Sequence, residues 1–168
     1  MGGRSRLRSW LRLRLRLDES GAALVEFALA LPLFLLLLFG LIEFGRFVAV
    51  STAVETASRE AARFASAVGG SPPQYTDCAA IRGAGQDLAV ITEIDQIDIV
   101  FDSGPGTPLL PVDCQGGTLP TPSAVASGDR VVVTATETFR SVVPILSNII
   151  GTVTVTSTDS RTIFKGSL

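Results

Sequence analysis

Residues 27–42 read FALALPLFLLLLFGLI, sixteen positions without a charge. As helix they rise about 24 Å, somewhat short of a hydrocarbon core of about 30 Å. Counting back to Ala22 lengthens the run to about 31 Å. The extension takes in Glu26, the one carboxylate among residues 22–42. A carboxylate in a bilayer is costly and marks a functional position by default. The length therefore fits a membrane span if Glu26 is neutral or paired. Pro32 removes one backbone donor and predicts a bend, which membrane helices tolerate.

Either side of this run the sequence changes character. Residues 1–21 carry six arginines (4, 6, 8, 12, 14 and 16) against Asp18 and Glu19. Residues 46–168 carry eight basic and twelve acidic residues. Arginine concentrated just before the span predicts a cytoplasmic N-terminus and a C-terminal body outside the membrane. The competing reading is a cleaved secretory signal. Its small-x-small site should follow Ile42 within a few residues, but Glu43-Phe-Gly-Arg-Phe stands there. The first Ala-x-Ala triplet, Ala65-Ser66-Ala67, comes more than twenty residues later.

Composition narrows the chemistry. Of 168 residues, 18% are charged and 46% apolar, with a formal charge of −2, which suits neither a disordered acidic tail nor a basic nucleic-acid binder. There is no histidine. That removes the Ser-His-Asp and Cys-His nucleophile pairs and every zinc site with an imidazole ligand. Two cysteines cannot make a four-thiolate site. Asp95, Asp98 and Asp102 are the carboxylates an enzyme would have to use, and their offsets do not place all three on one strand face. No phosphate loop, nucleophile elbow or metal cluster accompanies them, so no catalytic, cofactor or metal site is expected.

Beyond the apolar run, Phe47, Val50, Val54, Ala57, Ala61, Phe64 and Val68 recur at alternating spacings of three and four. This is a helical seam over three heptads. Glu55 and Arg59 on the opposite face stand in the favourable i, i+4 order. Gly69-Gly70 predicts the end of the helix. Span and stalk thus read as one helix of about 47 residues, roughly 70 Å long. The seam packs either on the protein's own sheet or on other subunits.

The body begins with a loop by composition, GGSPPQYT at 69–76. Residues 78–91 give a weak helix signal that Gly83 and Gly85 break. The alternation of 94–102 predicts a strand with Ile97, Ile99 and Phe101 on one face. Residues 103–124 hold so many Gly and Pro that a long irregular loop is expected. The β-branched stretches 130–140 and 152–164 predict two more strands, joined by a short helical crossing over 141–150 that contains Pro144. The expected class is α+β: a long N-terminal transmembrane-plus-stalk helix packed on a small C-terminal antiparallel sheet. The organisation is a basic leader (1–21), a membrane helix (22–45), its extracytoplasmic continuation (46–70) and a small α+β domain (71–168).

Cys78 and Cys114 both fall in the outside portion, where a disulfide is favoured over free thiols. The bridge would stabilise by on the order of 3–4 kcal/mol in the chain-entropy model.

At the membrane entry the chain reads Asp18-Glu-Ser-Gly21-Ala22-Ala-Leu-Val-Glu26-Phe27. A cut after Gly21 would leave an α-ammonium on Ala22, close to or within the bilayer. Glu26 lies four residues on, one helical turn away, and can compensate that charge in its own chain or in a neighbour displaced along the helix axis. The bland alternative is a loop glycine and a first-turn acid favoured by the helix dipole. The G-x4-E arrangement, with the basic leader and the apolar run that starts at Phe27, resembles the processing site of type IV prepilins and pseudopilins. That resemblance implies cleavage after Gly21 by a prepilin peptidase on the cytoplasmic side, with the apolar helix retained.

The stretch SGAALVEFALALPLFLLLLFGLIEFGRFVAVSTAVETASREAARFA (20–65) is moreover similar to the N-terminal signature of the TadE-like family, minor pilin-like proteins of the Flp/Tad tight-adherence system. The matching pieces are Gly21 to Phe27, Leu31-Pro-Leu33, Ile42-Glu-Phe-Gly-Arg46 and Ala57-Ser-Arg-Glu-Ala-Ala-Arg63. There is no insertion large enough for the von Willebrand-type domain of some longer relatives, and the 21-residue leader exceeds those of the major Flp pilins. The resemblance implies a pilin-like fold and a single-pass subunit in the cytoplasmic (inner) membrane that assists pilus assembly or export. Its implied partners are prepilin peptidase, other pilins or pseudopilins, the Tad secretion platform and the lipid bilayer, but not nucleic acid.

Glu43 and Arg46, one turn apart, read as an interfacial pair with a snorkelling arginine, or as a subunit contact by resemblance. The leader's LRLRLRL (11–17) fits anionic head groups. An unprocessed, membrane-anchored extracytoplasmic binding module is the alternative function.

Overall fold

The computed structural model describes residues 4–67, 71–87, 89, 92–114, 116–119 and 121–165. Helix α1 (Arg4–Ser66) dominates the N-terminal half. It starts in the leader rather than at residue 22, because leucine and arginine, which alternate there, are both strong helix formers. The predicted terminator Gly69-Gly70 and the last seam residue Val68 lie outside the described residues. The chain divides within α1 into two compact units, one ending at Glu43 and the other running from Phe44 to Leu168.

In the first unit, residues 21–39 are exposed around the whole helix. Leu24, Leu33 and Leu37 are 70%, 72% and 67% exposed. A helix apolar on every side is stable only where something other than water surrounds it. Among the described residues this is the one helix long and apolar enough to cross a membrane.

The second unit is an α+β body. Its sheet has four antiparallel strands in the order β2-β1-β3-β4, where β1 is Gln96–Asp102, β2 Pro108–Asp113, β3 Arg130–Arg140 and β4 Thr152–Thr162. Helix α2 (Cys78–Gln86) precedes the sheet, and helix α3 (Pro144–Ile150) joins β3 to β4. The period-two pattern of the strands sets the two faces. Ile97, Ile99 and Phe101 of β1 pair with Ala135, Val133 and Val131 of β3 on the inner face. All six are buried. The outer face is threonine-rich: Thr134 faces Thr158 and Thr136 faces Thr156 across β3 and β4, with Oγ1 atoms 3.0 and 3.4 Å apart.

The seam of α1 packs on the inner face. Val50, Val54, Ala57 and Ala61 are buried in one cluster with the strand residues, and Phe47 and Phe64 flank it. The buried stripe is wider than the seam alone, since Ala53, Ser58, Ala62 and Ala65 are also buried. Ser58 Oγ hydrogen-bonds Ser157 Oγ of β4 at 3.0 Å.

Two expectations for the body are corrected. The stretch 103–124 is not a continuous irregular loop, since it holds β2 and a 3-10 turn at Pro122–Ala124. Proline is tolerated because β2 is an edge strand: Pro108 opens it, and Pro111 needs no second neighbour. Nor do Gly83 and Gly85 break α2, which runs through both. At Gly85 an added Cβ would lie 2.8 Å from Ile97 Cδ1, 3.1 Å from the Ala57 carbonyl and 3.4 Å from Ala61 Cβ. Glycine is there because α2 lies against α1 and β1 at that point.

Cys78, the first residue of α2, is bonded to Cys114 just after β2, with the Cα atoms 5.5 Å apart. Arg82 reinforces the junction. It donates to the carbonyls of Ile97 (3.3 Å), Gly116 (2.9 Å) and Cys114.

Candidate processing site and membrane-entry region

Gly21, Ala22, Glu26 and Phe27 lie in the first unit, inside α1, and all four are exposed. The helix passes through the Gly21–Ala22 bond without interruption. Glu26 therefore stands one turn from Ala22 on the same side of the helix. A Cβ built on Gly21 meets nothing within 4 Å, so no packing in the chain asks for glycine there. The side chains of the leader arginines, including those in 11–17, lie outside the described residues.

Glu43 is 5% exposed, while its neighbours Ile42 and Phe44 are 52% and 64% exposed. Arg46 belongs to the second unit. Its guanidinium carbon lies 5.5 Å from the ring centre of Phe139, a cation–π distance. Phe47 meets the same ring edge-on, with centroids 5.4 Å apart and planes at 82°. Phe139 was not singled out from the sequence. It is the last inward position of β3, in phase with Val131, Val133 and Ala135, and that phase was a readable signal.

The three aspartates that an enzyme would need are each engaged structurally. Asp95 accepts from the Thr138 amide (2.8 Å), and Asp98 from Gln96 Nε2 (2.8 and 2.9 Å). Asp102 takes a bidentate pair from Arg130 across β1 and β3 (2.8 and 2.7 Å). The Asp102 carboxylate holds the Arg130 guanidinium above its usual range, chiefly by that hydrogen bonding. The buried Glu137 accepts from Thr92 Oγ1 and the Asp95 amide, both at 3.0 Å, and so anchors the chain entering β1. Among the described residues no three His, Cys, Asp or Glu side chains converge as a metal site.

On the exposed side of α1, Glu60 pairs with Arg63, and Glu55 with Arg59 at 2.5 Å. The hydrogen bond from Arg63 lowers the Glu60 pKa below its ordinary 4.5, against a smaller opposing effect of burial.

A family model described as TadE-like protein matches residues 21–63. The match opens on Gly21, takes in Glu26, the apolar run, Glu43 and Arg46, and ends at Arg63. No curated protein and no solved structure matches the chain.

Proposed function

We propose that the chain is a TadE-like minor pilin, or pseudopilin: a membrane-anchored structural subunit that serves assembly or export of Flp/Tad-type pili. The observation that carries this reading is the coincidence of three boundaries. The family match, the G-x4-E arrangement and the apolar helix all begin between Gly21 and Phe27.

In this reading prepilin peptidase cuts between Gly21 and Ala22 on the cytoplasmic side, and residues 22–45 stay in the cytoplasmic membrane with the body outside. The scissile bond is helical, so a protease must first open that turn. Gly21 makes the opening easier, because glycine is about 1 kcal/mol worse than alanine in a helix interior. Cleavage creates an α-ammonium at a helix start whose first amides already carry partial positive charge. The Glu26 carboxylate, one turn inward, offsets both. In a medium of low dielectric that attraction is several times its strength in water. It also fixes the register between helices when the partner charge belongs to a neighbouring subunit. Other pilins and the secretion platform are the partners this mechanism requires.

The test is N-terminal sequencing of the protein extracted from membranes of its native host, with and without the peptidase. Ala22 as the first residue only where the peptidase is present supports the reading. A chain that keeps its arginine-rich leader in both cells rejects processing and leaves a single-pass anchor carrying an outside domain.

A further inference from the structure

Three contacts fix the direction of the sheet against the α1 segment of the second unit. Phe47 meets Phe139, Ser58 meets Ser157, and Ser157 is the register partner of Ala135. Later residues of α1 thus match earlier residues of β3, so β3 runs antiparallel to the helix. The lengths agree: eleven helical residues rise about 16 Å and four strand residues about 13 Å. The β3–β4 connection therefore emerges at the Phe44 end of this unit. From Phe139 to Val142 an extended chain covers up to about 10 Å, while Phe47 to Phe44 is about 4.5 Å of helix. The connection is long enough to reach the level of Phe44.

Residues 141–150 read SVVPILSNII, without a charge. Val142 is 71% and Ile150 50% exposed, and at the same end of the unit Phe44 and Val48 are exposed as well. An exposed cation borders this apolar end: Arg140, the last residue of β3, while Arg46 lies over Phe139. A short apolar helix edged by arginine fits the boundary between acyl chains and anionic head groups, where a helix beds about 5–10 Å deep.

We propose that the β3–β4 tip, Val142–Ile150, dips into the outer interface of the membrane. It would form an attachment point in addition to the one that α1 provides, with Arg140 on lipid phosphates. This rests on the proposed anchoring of residues 22–45 in a bilayer. A bilayer is favoured over a second copy of the chain because the exposed patch includes Phe44, next in sequence to the apolar run that the proposed anchoring places in lipid.

The test uses full-length protein in vesicles of phosphatidylethanolamine and phosphatidylglycerol. Trp10, the one native tryptophan, is replaced by Phe, and single tryptophans are introduced as Val142→Trp, Ile150→Trp or Leu35→Trp. Thr158→Trp on the outer sheet face is the unquenched reference. Val142→Trp and Ile150→Trp should emit to the blue of Thr158→Trp, and lipids brominated near the head group should quench them by about twofold, as expected for interfacial depth. Lipids brominated deep in the chain should quench Leu35→Trp. If Leu35→Trp is quenched while both tip tryptophans are not, the tip proposal is overturned and the anchor stands. A blue shift at the tip without quenching also overturns it, since protein rather than lipid then covers the tip. If Leu35→Trp is not quenched, the anchoring reading fails and the tip proposal fails with it.

Discussion

Gly21 and Gly85 are both helical, and they answer to different demands. Gly85 is held by its neighbours, since a methyl group there would press on Ile97, which is itself buried, and on the Ala57 carbonyl. Gly85→Ala should destabilise the body by about 1–3 kcal/mol through overpacking, read by denaturant unfolding of the detergent-solubilised protein. An unchanged midpoint would mean that α2 can retreat from α1 without loss. Gly21 has open space around it. Gly21→Ala should leave the same unfolding midpoint unchanged while preventing removal of the leader, followed as the mobility difference between precursor and mature chain. Normal processing of that variant would show that the missing side chain is not what the peptidase reads. The sequence marks Gly21 by its distance to Glu26, but nothing local marks Gly85. Its constraint comes from residues 28 and 24 positions earlier and 12 later, which only the fold brings together.

At the scale of elements, the exposed side of α1 near its end depends on Glu60 and Arg63. Because Glu60 has a lowered pKa in the folded chain, its contribution is present above its ordinary 4.5 and is lost as pH falls through the depressed value. The melting temperature should drop on acidification from pH 5 toward pH 3. In Glu60→Gln this part of the drop should be missing, and a profile identical to the parent would remove the pair from the account. The effect is small, as for any pair this exposed. Strand β2 depends on different ties. It has one sheet neighbour, a register shift against β1 between Val100 and Asp102, the Cys78–Cys114 bond and the carbonyl contacts of Arg82. Reduction should cost on the order of 3–4 kcal/mol. Amide exchange should quicken first in residues 108–113, with β3 and β4 still protected; uniform quickening across the sheet would count against a local role for the bridge. The long strands were legible in the sequence because their β-branched residues alternate, and the seam of α1 because its apolar residues recur every three or four. Strand β2 was not, because an edge position tolerates the prolines that argue against a strand elsewhere. Arg82 was not, because its three acceptors are backbone carbonyls, which leave no trace in side-chain identity.

For the whole molecule, residues 22–42 of the first unit offer an apolar run with one carboxylate, Glu26, near its start. Glu26→Ala should therefore insert in membranes as well as the parent, by carbonate extraction, yet lower pilus number severalfold, counted by electron microscopy. Undiminished piliation would end the charge-pairing account while sparing the anchor. The order of synthesis sets a second constraint. Val50, Val54, Ala57 and Ala61 share their core with Ile163, near the end of the chain. The rod is made first, and its oily side is fully covered only once β4 has joined β1 and β3 on the same side. A chain stalled before β4 thus leaves part of that stripe uncovered, and bare apolar surface of this kind promotes aggregation.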